Sequence, residues 1–173
     1  MERRQFVYTI ILGSGGIIAS GSKINAATMK KDETMIRMIY NNTGKMGNLK
    51  NAWGLSVWIE NSEGATLFDT GGKASILGKN MKNLGIELEK LKKVIISHDH
   101  WDHTGGLEMV MEETRFTPDL YVVAEIREEY AEKFPSANVI PVSSPQKIDK
   151  NLWSTGSLKA DYRSGDLYEQ AII

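Results

Sequence analysis

The sequence predicts an α/β sheet domain. Three observations carry that expectation. Short runs rich in β-branched and aromatic residues alternate with amphipathic stretches of helical period, after an opening hairpin. Apolar residues make up 41% of the 173-residue chain, enough for one buried core, while glycine is frequent (16) and proline scarce (4). Finally, Val94-Ile95-Ile96 is a fully apolar run that passes directly into polar residues, as a buried strand does where it leaves a sheet.

The elements follow in order. Thr34 to Tyr40 alternates with period two and reads as a strand. Asn41-Asn42-Thr43-Gly44 and Met46-Gly47-Asn48 are loop material. Trp53 to Glu60 and Ala65 to Asp69 are strands, joined into a hairpin by the turn Asn61-Ser62-Glu63-Gly64. Ser75 to Leu84 places Ile76, Leu77, Met81 and Leu84 on one helical face, and Gly85 stops it. After the Val94–Ile96 strand, Gly105-Gly106 opens a helix carrying Leu107, Val110 and Met111. Leu120 to Val123 is a strand and Ala124 to Phe134 a helix, with mixed charge on its exposed side. Asn138-Val139-Ile140 and Leu152-Trp153 are short strands.

Residues 1–27 differ from the rest. Arg3-Arg4 is followed by a short apolar, glycine-punctuated run and then small residues ending at Asn25-Ala26-Ala27. This is the layout of an export signal of twin-arginine type, with the remaining domain spanning 32–173. It implies a periplasmic or extracellular protein, or one anchored by an uncleaved N-terminus. No stable membrane span is expected after processing, because the apolar run is short. A net charge of −1 argues against a nucleic-acid partner, and the absence of cysteine excludes thiolate metal sites, disulfides and cysteine nucleophiles. A small-molecule substrate is the expected partner, and an oligomer is compatible with the composition.

Chemistry concentrates in Ser97-His98-Asp99-His100-Trp101-Asp102-His103-Thr104-Gly105-Gly106. All 3 histidines of the protein lie here. Histidine nitrogen and carboxylate oxygen are donors that zinc and its neighbours accept. His98 and His100 stand two apart, so on an extended segment they point the same way and can pinch one ion. Asp102 and His103 follow, where a turn lets them face the same cavity and take a second ion. Gly105-Gly106 suits that turn. Two ions roughly 3.5–4 Å apart can clamp both ends of a displacement and supply hydroxide at neutral pH.

His98-x-His100-x-Asp102-His103 resembles the signature of the metallo-β-lactamase-fold hydrolases. Phe68-Asp69-Thr70-Gly71 is similar to that family's earlier element. With Trp53-Gly54-Leu55-Ser56, these stretches most resemble the branch of the dihydropterin-linked ribofuranosylaminobenzene 5′-phosphate synthases. The resemblance runs from about Trp53 to the C-terminus. It implies an αββα sandwich, of which this chain covers the N-terminal half to two-thirds. It implies His98 and His100 on metal one, and Asp102 and His103 on metal two, with Asp102 also steering the attacking water. Asp69 would support these ligands from behind. The implied cofactor is zinc, two ions in a complete protein, with iron or manganese as alternatives. The implied reaction is attack of a metal-bound hydroxide on a small ester, lactone or phosphoester. The family's later metal-binding histidines have no counterpart after His103, so this chain reads as truncated. The alternative is a catalytically impaired remnant or interaction module that binds metal weakly. An uncovered apolar sheet face is expected of a partial sandwich.

Trp101 lies between ligands and is a candidate pocket wall; Trp53, Trp58 and Trp153 are expected in the core. Met35, Met38 and Met46 are expected as core filler. Lys90-Leu91-Lys92-Lys93 reads as a solvated helix end or loop. Asp99 receives no role.

Overall fold

The computed structural model describes residues 11–12, 33–44, 47–162 and 165–173. Seven strands form the main sheet in sequence order: β1 (Ile11–Leu12), β2 (Thr34–Tyr40), β3 (Ser56–Asn61), β4 (Gly64–Phe68), β5 (Leu91–Ile95), β6 (Asp119–Val123) and β7 (Val139–Val142). β1 to β4 pair antiparallel, and β4 to β7 pair parallel. The switch follows from the connections. A tight turn joins β3 to β4, whereas α1 (Ala74–Leu84), α3 (Leu107–Glu113) and α4 (Arg127–Lys133) lie in the crossovers between parallel neighbours. Of the residues read as an export signal, only Ile11 and Leu12 are described, paired with Met35 and Thr34; the rest lie outside the described residues. Met46 is also outside them, while Met35 is buried as expected.

The strands separate two apolar layers by period-two alternation. Leu67, Val94, Ile96, Leu120 and Val122 face the helices and pack on Leu77 and Met81 of α1, Leu107 and Val110 of α3, and Tyr130 of α4. Ile59, Phe68, Ile95 and Tyr121 point the other way. α1 ends as its sequence predicts: Gly85 is left-handed (φ 63°), and Ile86 N–H donates to Met81 C=O at 2.9 Å.

The second apolar face is less bare than the sequence suggests. A hairpin of β8 (Gln146–Asp149) and β9 (Leu152–Ser154) lays Ile148 and Leu152 on it, and Ile172 joins them. β10 (Leu158–Tyr162) and β11 (Gly165–Glu169) make a further hairpin. These hairpins escaped the sequence reading, apart from the strand at Leu152-Trp153, because their strands are polar and carry weak alternation.

Other expectations are corrected. Trp53 precedes β3 rather than opening it and is 61% exposed, and Trp153 is 48% exposed, so neither is core; Trp58, at 0%, is. The Lys90–Lys93 run is only in part a solvated end: Lys90 closes a short 3-10 turn and Lys92 is exposed. Leu91 to Lys93 begin β5 and Leu91 is buried. Lys90 Nζ bonds the buried Glu60 carboxylate at 2.9 Å, and Lys93 Nζ bonds Asp149 at 2.9 Å.

Candidate metal centre

Parallel pairing of β4 with β5 sets their carboxyl ends side by side. The loop after β4 and the histidine stretch after β5 are therefore neighbours, at the end of an α/β sheet where ligands bind. Asp69 N–H extends the ladder by donating to Ile95 C=O at 2.9 Å. Thr70 N–H and Thr70 Oγ1–H both donate to His103 C=O, at 2.7 and 2.9 Å. The two loops are thus sewn together before any side-chain chemistry is considered.

Asp69 is the hub. It is fully buried and is, among the described residues, the one non-glycine residue with positive φ (57°). Aspartate tolerates that conformation better than most residues. Its carboxylate accepts from Ser97 N–H at 2.7 Å, from Ser97 Oγ–H at 2.8 Å and from His103 Nδ1–H at 2.7 Å. A carboxylate has no proton to give, so these contacts dictate who donates. His103 must carry its proton on Nδ1, which turns Nε2 toward the opening. The Ser97 hydroxyl spends its single proton on Asp69. Its oxygen then accepts from His98 Nδ1–H at 2.9 Å, which leaves His98 Nε2 with a lone pair. One buried carboxylate thereby sets the tautomers of two histidines. Ser97 received no role from its sequence position, and only the contact with Asp69 reveals it.

The four predicted donors come together in two adjacent pairs. His98 Nε2 lies 3.0 Å from His100 Nδ1, and His103 Nε2 lies 3.5 Å from Asp102 Oδ2. The His98 and His103 rings are 4.1 Å apart between centroids. Two donors on one tetrahedral zinc, each at about 2.0–2.1 Å, stand about 3.3 Å apart. The two separations bracket that spacing, so each pair is compatible in donor chemistry and distance with sharing an ion. Among the described residues no group of three His, Asp or Glu side chains converges to hold one ion.

Electrostatics differ between the two rings. Burial pushes the His98 imidazole below its ordinary pKa, and His103 and His100 beside it push the same way, which favours a neutral ring whose Nε2 meets His100 Nδ1. Burial would lower His103 too, but the hydrogen bond and charge of Asp69, helped by Asp102 and Glu169, outweigh it and raise its pKa.

Part of the stretch is helical. Trp101–Thr104 forms the one-turn α2, which brings Asp102 and His103 round to the side of His98. Gly105 and Gly106 are needed for space, not for a turn. Their φ values of −65° and −104° suit any residue. A Cβ on Gly105 would sit 2.5 Å from Gly72 O, and one on Gly106 2.5 Å from Thr70 O. Trp101 is 61% exposed and rests its ring against Gly72, at the rim of the cluster. Asp99 is held from behind, accepting from the Tyr130 hydroxyl at 2.6 Å. Gln170, next to β11, ties the C-terminal segment to the site: its Nε2–H donates to Ile96 C=O and its N–H to Ser97 C=O, both at 2.9 Å.

The family model of the metallo-beta-lactamase superfamily matches residues 54–160. The chain belongs to the metallo-beta-lactamase superfamily. Its fold is the mixed α/β fold of that superfamily over about 80% of the chain. A solved metal-dependent hydrolase of the beta-lactamase superfamily superposes with a TM-score of 0.54 at 23% identity, covering 79% of this chain and 59% of that one. A metallo-beta-lactamase fold protein from Bacillus subtilis gives 0.57 at 18% identity, covering 82% and 59%. In sequence, the chain is 47% identical over 47 residues to the 7,8-dihydropterin-6-methyl-4-(beta-D-ribofuranosyl)-aminobenzene-5′-phosphate synthase of Methanocaldococcus jannaschii, 27% of this chain and 16% of that protein. The chain therefore spans well under two thirds of each of these relatives. Superfamily members bind divalent metals, usually zinc, and the fold is of a metal-dependent hydrolase type.

Proposed function

We propose that this chain carries the metal-binding portion of a zinc-dependent hydrolase acting on a small ester, lactone or phosphoester. The observation that supports this most is the pairing of His98 Nε2 with His100 Nδ1 beside Asp102 and His103, with tautomers set by one buried carboxylate. His98 and His100 would hold one ion; Asp102 and His103 would hold the other. Bound zinc supplies electrophilic polarisation and water of near-neutral pKa. The chain's own residues do the rest. Asp69 and Ser97 keep His98 and His103 presenting lone pairs, Asp102 orients the attacking water through its carboxylate, and exposed Trp101 forms one wall for the substrate.

A second reading, weak metal binding without turnover, is supported by the two-plus-two donor arrangement, in which no third side chain completes either pair among the described residues. Zinc equivalents in the purified chain and hydrolysis of a generic phosphodiester and lactone separate the two. About two equivalents with turnover supports the hydrolase; well under one equivalent with no turnover refutes it. His98→Ala should remove most bound zinc, and unchanged content would sink the ligand assignment.

We also propose export through the Arg3-Arg4 segment. No helix among the described residues is long and apolar enough to cross a membrane. Replacing both arginines by lysine should leave the protein in the cytoplasmic fraction; unchanged export would refute the assignment.

A further inference from the structure

The proposed ligand loop contains a carboxylate besides Asp102. Asp99 sits between His98 and His100, close enough in sequence to compete with them for an ion. Its side chain is instead engaged by Tyr130 of α4. Tyr130, 2% exposed, comes up from the helix layer and donates its hydroxyl to Asp99 Oδ1 at 2.6 Å. Thr104 Oγ1–H, at the end of α2, donates to His100 C=O at 3.1 Å and fixes the other end of the histidine stretch. Burial and the Asp99 contact push the Tyr130 pKa far above the ordinary tyrosine range, so the group stays a donor at any physiological pH.

We propose that Tyr130 is a positioning residue that acts through Asp99, holding that carboxylate away from the ion so that His98 and His100 alone present donors to it. The inference rests on the reading of the histidine stretch as a metal site. A hydroxyl on a packed helix is a stiff anchor, because Tyr130 is wedged against Phe134 and the strand layer. An exposed aspartate without that anchor would be free to swing toward the ion and change both geometry and affinity. Partners of this kind typically control metal affinity by about 10–100-fold.

The test uses the full chain with zinc and cobalt(II). Tyr130→Phe, Asp99→Ala, Asp99→Asn, Asp99→Glu and the Tyr130→Phe/Asp99→Ala double variant are compared by chelator competition, by the cobalt d–d spectrum and by urea midpoint. Tyr130→Phe frees the Asp99 carboxylate and should change zinc affinity roughly tenfold and shift the cobalt bands. Asp99→Ala has no carboxylate left to swing and should stay near wild type, and the double variant should return to the Asp99→Ala values. Asp99→Asn keeps an acceptor for the tyrosine and should also stay near wild type. Asp99 is exposed, so Asp99→Glu, which lengthens the carboxylate past the tyrosine hydroxyl, carries the test should Tyr130→Phe fail to fold and should shift the bands likewise. An unaltered cobalt spectrum in Tyr130→Phe, or in Asp99→Glu where that variant carries the test, or a double variant that keeps the Tyr130→Phe change, overturns the proposal while leaving the metal site standing. A wild-type chain that takes up no zinc overturns both.

Discussion

Asp69→Asn tests the hub of the site with the smallest change of shape. Asparagine tolerates the positive φ of this position (57°) and matches the volume, so neither backbone nor packing is disturbed. What changes is one oxygen. Asp69 Oδ1 serves Ser97 N–H, while Oδ2 serves both Ser97 Oγ and His103 Nδ1. An amide cannot do both. With its NH2 toward His103, the ring must accept at Nδ1 and move its proton to Nε2, the atom that faces Asp102. With the NH2 reversed, it meets the Ser97 amide, donor against donor, in a fully buried position. A charge-assisted bond contributes about 1.5–3 kcal/mol, and an orphaned buried donor costs about 1–3 kcal/mol. A loss near 2 kcal/mol is therefore expected, a noticeable part of the roughly 5–15 kcal/mol that holds a domain together. The tautomer change should weaken zinc binding about 10–100-fold. Urea unfolding of the metal-free protein reads the first effect, and chelator competition at a temperature where both proteins are folded reads the second. Zinc affinity within twofold of wild type would refute the tautomer argument, even if stability fell as expected.

Ser97→Ala removes the link from Asp69 to His98 but leaves the Asp69–His103 bond; zinc affinity should drop about tenfold, measured by competition, with a stability loss near 1 kcal/mol. Gly105→Ala should cost about 1–3 kcal/mol by thermal or urea unfolding, because the added methyl meets the Gly72 backbone rather than a mobile side chain. Gly85→Ala should cost about 1 kcal/mol through its left-handed cap, with zinc affinity unchanged; a fall in affinity would show that α1 and the site are coupled. The Lys93 contact holds the Asp149 carboxyl below its ordinary value, against the opposing effect of burial. A depressed folded pKa contributes stability above the unfolded value of about 3.9, lost as pH falls through the folded value. Stability should therefore drop below about pH 4, and Asp149→Asn should flatten that part of the profile; an unchanged profile would remove the pair from the account.

The presence of β2 to β7 was legible because each has a period-two or apolar pattern bounded by glycine, asparagine or a helix, whereas their order in the sheet is read from the structure. The hairpins β8–β9 and β10–β11 were mostly not, since polar strands are recognised by what they pair with. Trp58 and Trp153 make the same point. Both stand in β-rich runs, yet one is buried against the helix layer and the other faces out, and nothing within either run distinguishes them. That His98, His100, Asp102 and His103 lie together was legible because they share one short loop after an apolar strand.

Their supports were hidden. Asp69 could be named from its motif, but its command of Ser97 depends on β4 and β5 being parallel neighbours. Tyr130 is 31 residues from Asp99, and Gln170 is 74 from Ile96. The sequence by itself determined which atoms in this protein can bind metal, because donor chemistry is a property of residue type. Only the tertiary structure decided which nitrogen of His98 and of His103 carries the proton and which partner holds Asp99. Those depend on hydrogen bonds between segments that become neighbours when the sheet closes.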